Sequence, residues 1–384
     1  MRINVAQWVN TELKRLEQQH RRRWVVTTEP SEHRSSGARQ GREMVLFSTN
    51  DYLGLANDPR VVAGAQNALN ERGMGTRSAS LISGYSELHE SLENELAQLK
   101  DQEAALVMSS GYQANVGLLS AIGTDETIIF SDALNHASII DGCRLSKAQV
   151  QVYRHRDMDH LEDLLKRCSA RRRVVVTDEV FSMDGHRAPL VELAALRARY
   201  GFILITDSAH STGIYGNDGA GLCDAAGVTE SVDFQVGTLS KSLGSHGGFV
   251  ACSSKGRDWL LNTARAYIFS TALPVPCVGA ALAAIDVMRT DPAPNRRLWT
   301  HITALTKALR RPPTGPIVPF IIGQESATMD AAAHLQASGL HVPAIRPPTV
   351  PPDTCRLRLS LSAAHTRADI ERLIKALQES PAWT

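Results

Sequence analysis

Lys241 stands between two hydroxyls, Ser240 and Ser242, in the stretch GTLSKSLGSHGG (237–248), after the apolar run VDFQV and before a glycine pair. A strand that ends in small, hydroxyl-bearing residues offers side-chain and backbone donors to a phosphate. A lysine fixed beside a bound cofactor, away from open water, can form a Schiff base. Alone, the stretch reads equally well as a surface lysine in a flexible loop. The segment FILITDSAHSTGIYG (202–216) shifts that balance. Its apolar run, Phe202 to Thr206, delivers Asp207 and His210 to the carboxyl end of a strand, where ligand sites of open α/β sheets gather. An aspartate there can hold a pyridinium nitrogen protonated, which makes pyridoxal phosphate (PLP) an electron sink. The plainer readings are a helix cap or turn for Asp207 and a partly buried polar residue for His210. Lysine and aspartate together favour PLP.

Residues of this kind need strand ends to carry them, and the sequence supplies several. AALVM (104–108) runs into SSGYQAN (109–115), where Ser109, Ser110 and Gly111 precede a helical pattern, the form of a phosphate-binding helix start. Tyr112 either stacks on a ring or packs. Further on, TIIFSDALNHAS, VVVTDEVFSMDG, FILITDSAH and VDFQVGTLSK alternate with helical segments, which predicts βαβ units and a largely parallel sheet. His136 and Ser182 fall near the ends of their strands. A lone histidine there is more often structural, but the same joint recurs at each strand end. No G-x-x-x-x-G-K-[ST] motif is present, and Gly73-Met74-Gly75 lacks a third glycine and a preceding strand, so nucleotide binding of that type is not expected.

At 384 residues the chain is long for one core, and two domains are expected. With 41 basic against 40 acidic residues, no overall field recruits nucleic acid or membrane. The six cysteines lie far apart without a CxxC pair, which suits a reducing compartment. No apolar run reaches membrane-spanning length and no signal pattern opens the chain, so a cytoplasmic location is expected. Residues 1–45 read as a helix and arm: Val5, Trp8, Val9, Leu13 and Leu16 share one face, and Arg21, Arg22 and Arg23 follow, either as a solvated face or as an anion site. The polar stretch that follows reads as a loop or hairpin, with a short strand, a turn at Asn50 to Gly54 and a stop at Pro59. Residues 46–280 form the large cofactor-binding domain. Residues 281–384 form a small C-terminal α+β domain, in which RPPTVPP (346–352) holds Arg346 and Thr349 rigidly. A fixed guanidinium suits a carboxylate clamp, although a stiff loop with a surface arginine would look the same.

The chain resembles the α-oxoamine synthase family of fold-type I PLP enzymes across nearly its full length. The resemblance rests on SxNDYLGL (48–55), SGYSELHESLENELA (83–97), SSGYQAN (109–115), NHASIIDG (135–142), VFSMDG (180–185), DxAH (207–210), GTLSK (237–241), FSTALP (269–274) and RPPTVP (346–351). It implies an α/β fold, a mostly parallel central sheet flanked by helices plus a small C-terminal α+β domain. By the resemblance, Lys241 carries the Schiff base and moves the substrate Cα proton, and Asp207 pairs with the pyridinium nitrogen. His210 and Ser182 lie near the ring hydroxyl, and His136 stacks on the ring and faces substrate. Ser110, Gly111, Tyr112 and Thr238 surround the phosphate, with Ser270 and Thr271 coming from the neighbouring subunit of a homodimer. Asn50 and Arg346 hold the substrate carboxylate, while Arg21 and Thr349 contact the acyl substrate. The implied reaction joins L-alanine to the thioester of pimeloyl-CoA or a pimeloyl carrier protein, with loss of CO2 and the thiol. Sister members use glycine or serine with other acyl-CoAs. A fold-type I aminotransferase or decarboxylase would need no thioester, and inactive partner subunits typically lack the lysine kept here. Where the family usually has an acidic residue, this chain has Ser208, and the triple arginine leaves the Arg21 contact open by a position.

Overall fold

The computed structural model describes residues 4–19, 21–31, 35–380, 382 and 383. By internal contacts the chain divides into two compact units. The larger comprises Thr49–Val318 with Ser360–Ile370; the smaller comprises Met1–Ser48, Pro319–Leu359 and Glu371–Thr384.

Seven strands build the sheet of the larger unit: β1 (Ala104–Met108), β2 (Thr127–Asp132), β3 (Gln149–Tyr153), β4 (Arg172–Asp178), β5 (Ile203–Asp207), β6 (Phe234–Thr238) and β7 (Gly248–Cys252). Their spatial order is β1-β7-β6-β5-β4-β2-β3. Pairs from β6 through β3 are parallel, whereas β7 runs antiparallel to both β1 and β6. The central parallel strands β4 and β5 carry continuous apolar runs, Val174–Val176 and Ile203–Ile205, as strands covered on both faces do, whereas the edge strand β3 alternates and is mostly exposed. Val174, Val176, Ile205 and Val236 are fully buried, packed with Leu118 and Leu119 of the helix Gly111–Ile122. Each such side chain contributes about 1.5–3 kcal/mol by leaving water. The expected α/β fold with a mostly parallel sheet is the fold observed.

The helix Glu87–Leu99 begins after Ser86 and buries Leu92, Leu96 and Leu99. Its capping box closes with His89 in place of the usual acid or amide, the Ser86 Oγ and His89 Nδ1 lying 2.8 Å apart. Pro59, read as a stop, is instead the first residue of the helix Pro59–Arg72, capped by Asp58. Proline is tolerated there because the first helical N–H has no intrahelical acceptor. The boundary expected at residue 280 falls inside the helix Val275–Thr290, which packs on Pro59–Arg72 in the larger unit. Asp291 and Pro292 separate Val275–Thr290 from the next helix, Ala293–Ala308.

In the smaller unit the helix Val5–Gln18 buries no residue; Leu13 and Leu16 are half-buried while Val5 and Trp8 are exposed. The polar stretch is a hairpin, Ser36–Arg39 against Arg42–Leu46, and residues 32–34 before it lie outside the described residues. Its two-residue turn, Gln40-Gly41, has positive φ at both positions (50° and 75°), which matches the twist of paired strands. Leu340–His341 adds to this sheet in parallel. A second sheet orders Ile317–Gly323, Cys355–Ser360 and Ala344–Ile345. The run LHVPAI (340–345) thus forms two short strands in different sheets, parted at Val342-Pro343. Proline has no N–H to continue a ladder.

Candidate active site

The carboxyl ends of β4, β5 and β6 open onto one cavity of about 250 Å³ in the larger unit. Ser110, Gly111, Tyr112, His136, Asp207, His210, Thr238 and Lys241, all named from the sequence, line it. Lys241 follows β6, and its Nζ lies 2.9 Å from His210 Nε2. The other nitrogen of His210 is 2.6 Å from the hydroxyl of Tyr52, a fully buried residue that also donates to Asn50 Oδ1 at 3.1 Å.

Asp207 is met by donors on both oxygens: the Ala209 N–H at 2.9 Å and Asn115 Nδ2 at 2.6 Å. That setting suits a carboxylate facing a ring N–H. Asn115 gives its second hydrogen to Ser138 Oγ at 2.9 Å, and Ser138 Oγ lies 2.7 Å from His136 Nδ1. One amide thereby ties the aspartate to the histidine, leaving its own buried Oδ1 without a hydrogen-bond partner among the described residues.

Asp178 is the register partner of Asp207 on the adjoining strand and lines the same cavity. Burial and the nearby Asp207 carboxylate push its pKa well above the ordinary carboxyl range, against the His136 N–H that it accepts at 2.8 Å. His136 presents an open face to the cavity, yet the protein around it still disfavours its cation. Its pKa is lowered, mainly by that desolvation, with Asp207 opposing and Lys241 reinforcing.

The helix Gly111–Ile122 starts at the cavity wall, with Ser110 as its cap accepting the Gln113 N–H at 3.1 Å. Thr238 Oγ1 and Ser240 Oγ, 2.7 Å apart, stand opposite. β7 passes tightly beneath: a Cβ on Gly248 would lie 2.4 Å from the Gly111 nitrogen. Free N–H groups at a helix start and two hydroxyls form an anion cradle. Cradle, lysine and donor-held aspartate together fit PLP.

The other expected residues lie elsewhere. Ser182 is in the turn after β4 and does not line the cavity. Ser270 and Thr271 border a separate crevice with Ser109, whose Oγ donates to the Thr271 carbonyl at 3.2 Å. Asn50 belongs to the larger unit and Arg346 to the smaller. Within the smaller unit, Arg346 pairs with Glu325 at 2.7 Å. Arg23 reaches Thr349 Oγ1 at 3.4 Å, whereas Arg21 bonds Gln19 and Arg22 bonds Glu17. Sequence reasoning passed over Tyr52, Asn115, Ser138 and Asp178. All four lie inside motifs already singled out, but nothing in their spacing shows that their side chains turn toward one cavity.

The seven-stranded sheet and the lysine–aspartate cavity at its strand ends define the fold-type I PLP enzymes. The chain belongs to the aminotransferase class I and II family, which it matches over residues 42–377. It is 46% identical over 359 residues to an 8-amino-7-oxononanoate synthase of Arabidopsis thaliana, covering 88% of this chain and 75% of that one. To an 8-amino-7-oxononanoate synthase of Anaeromyxobacter dehalogenans it is 44% identical over 376 residues, 96% and 94% of the two chains. Among solved structures, a serine palmitoyltransferase of S. paucimobilis with bound PLP–myriocin aldimine is similar at TM-score 0.92 and 30% identity, covering 99% and 98%.

Proposed function

We propose that the protein is a PLP-dependent acyltransferase that condenses L-alanine with a pimeloyl thioester, of CoA or of a carrier protein, to give 8-amino-7-oxononanoate in biotin biosynthesis. The observation that carries the chemistry is the convergence of Lys241, Asp207 and His136 on one cavity beside a helix start. The choice of substrates is supported by the relatives' names and by RPPTVP (346–351).

Bound PLP supplies an aldehyde that joins an amine and a ring that takes up the electron pair released at the substrate Cα. Lys241 would hold that aldehyde through its amine and would serve as the amine base at the alanine Cα. Asp207, held by Asn115 and the Ala209 N–H, keeps the ring nitrogen protonated. His136 would lie against the ring and His210 near its hydroxyl, whereas Ser182, assigned there by the resemblance, does not line the cavity. Ser110, Gly111, Tyr112 and Thr238 hold the phosphate. Asn50 and Arg346 hold the alanine carboxylate; Thr349 and the arginine knot meet the acyl chain, with Arg23 better placed than Arg21. The alanine Cα bonds to the thioester carbonyl carbon, the thiol leaves, the carboxylate departs as CO2, and a proton returns to Cα.

A homodimer is part of this reading. Ser270 and Thr271 stand outside the cavity of their own chain, and Ile82 and Phe269 on the adjoining segments are 80% and 71% exposed. A cytoplasmic location agrees with the finding that, among the described residues, no helix is long and apolar enough to cross a membrane.

The similarity to serine palmitoyltransferase favours a second reading, a sister synthase using another amino acid and acyl-CoA. One titration separates them, with alanine added first and pimeloyl-CoA second while the visible cofactor spectrum and released thiol are followed. Stoichiometric thiol with alanine, and none with glycine or serine, supports the proposal. Thiol released from acetyl-CoA or palmitoyl-CoA with glycine or serine moves the protein to the sister activity.

A further inference from the structure

Behind the cavity, two buried charged residues grip the turn that carries His210. Glu179, fully buried, follows β4 and accepts from Thr206 Oγ1 at 3.0 Å, the Leu222 N–H at 3.0 Å, Cys223 Sγ at 3.1 Å and Ser211 Oγ. Lys100, 1% exposed, donates to Thr212 Oγ1 at 2.7 Å and to the Ala220 carbonyl at 2.5 Å. Both head groups converge on Gly221, where an added Cβ would lie 3.1 Å from Lys100 Nζ and 3.3 Å from Glu179 Oε2. A single buried charge is strongly disfavoured: burial lowers the pKa of Lys100, the nearby Glu179 carboxylate opposes that without a direct ion pair, and hydrogen bonds satisfy both head groups.

The turn between them is closed on itself. The Ser211 and Thr212 N–H groups both return to the Ser208 carbonyl, and Thr212 Oγ1 meets Ser208 Oγ at 3.1 Å. Glu179 therefore holds the residue after His210, and Lys100 holds the one after that. Ser208, where a carboxylate was expected, spends its hydroxyl on the Val236 carbonyl at 2.8 Å. The buried carboxylate bonded to this turn comes from the neighbouring strand instead.

We infer that Glu179 and Lys100 are positioning residues: a buried charge pair that clamps the 207–212 turn and so sets His210 beside Lys241, with Glu179 supplying the carboxylate absent at Ser208. The inference rests on the PLP reading only for its catalytic consequence; the clamp itself concerns the full chain with or without cofactor.

The test uses Lys100→Met, Glu179→Gln and the double variant, together with Glu179→Ser alone and combined with Ser208→Asp. Melting of the PLP-free and PLP-loaded chains, circular dichroism of the visible cofactor band, and kcat and KM for alanine are measured. Each single variant is expected to melt well below the parent and to lose about tenfold in kcat with KM nearly unchanged, together with an altered dichroic band. The double variant is expected to recover most of the melting loss, because no lone charge stays buried. Ser208→Asp is expected to restore the dichroic band lost in Glu179→Ser. Additive losses in the double variant, or no recovery with Ser208→Asp, would overturn the clamp. If the single variants do not fold, the double and the combined variant still give these readings. Failure of the parent chain to show a visible PLP band would sink the cofactor reading and leave the melting result standing on its own.

Discussion

Lys241 Nζ and His210 Nε2 lie 2.9 Å apart, and they come from the ends of two adjacent parallel strands. The contact joins the sequence's two strongest motifs. It also gives the lysine a fixed direction, which a surface lysine would lack. Truncation to Lys241→Ala removes both the proposed Schiff-base amine and the proposed base. The variant is expected to lose the visible absorbance of bound PLP and to fall at least about a hundredfold in kcat, the low end for removing a positioned base. Undiminished visible absorbance in Lys241→Ala would contradict the assignment.

Tyr52 extends that contact inward, from His210 Nδ1 to Asn50 Oδ1. Tyr52→Phe keeps the buried ring and removes only the hydroxyl, leaving polar atoms on both sides short of one partner. A loss of about 1–3 kcal/mol in unfolding free energy is expected. A fall in kcat should accompany it, because His210 is released from one side. Denaturant unfolding and steady-state rates check the pair, and a variant unchanged in both would show that the line has no role.

Much of this was legible in the sequence. The strand-to-joint alternation fixed the parallel sheet, because strands buried on both faces must be apolar and their ends must turn in small polar residues. Lys241, Asp207 and His136 were legible for the same reason. Tyr52 and Asn115 were not, since each sits in a helical or turn segment where either orientation of the side chain fits the pattern. Glu179 was hidden differently. A carboxylate at a strand end reads as solvated, and only the burial of Lys100, far off in sequence, gives it a counter-charge.

Asn115 presents a separable case. Its hydrogen bond to Asp207 is charge-assisted, worth about 1.5–3 kcal/mol. Its carbonyl, by contrast, is buried and has no hydrogen-bond partner among the described residues. Asn115→Leu removes both, so stability should change little while PLP affinity falls roughly ten- to a hundredfold. Equilibrium binding of PLP beside thermal melting checks this. Equal losses in both would mean that Asn115 is merely structural.

His341 provides a pH test in the smaller unit. Burial, with Arg39 adding repulsion, lowers its pKa from 6.5 to about 4. The unfolded chain therefore binds the proton more readily, and stability rises with pH across that window. The contribution is complete above pH 6.5 and is lost as pH falls toward 4, on the order of 1–2 kcal/mol after allowing for partial solvent exposure. His341→Asn should flatten the unfolding free energy between these limits. A slope equal to that of the parent chain would assign the acid sensitivity to other groups.

Arg346, proposed to hold the alanine carboxylate, is paired with Glu325 at 2.7 Å, and the two side chains are 33% and 44% exposed. A pair so open to water is worth little to the fold, about 0–1 kcal/mol. Its weight falls on substrate, because Glu325 competes with an incoming carboxylate for the same guanidinium. Glu325→Gln keeps an acceptor and removes the charge. KM for alanine should fall about two- to fivefold with kcat unchanged, and the difference should shrink at high salt as the charges are screened. Arg346→Lys should move KM the other way, since an ammonium cannot reproduce the planar fork. A KM that rises in Glu325→Gln would mean that Glu325 orients Arg346 for substrate, and the competition argument would fail.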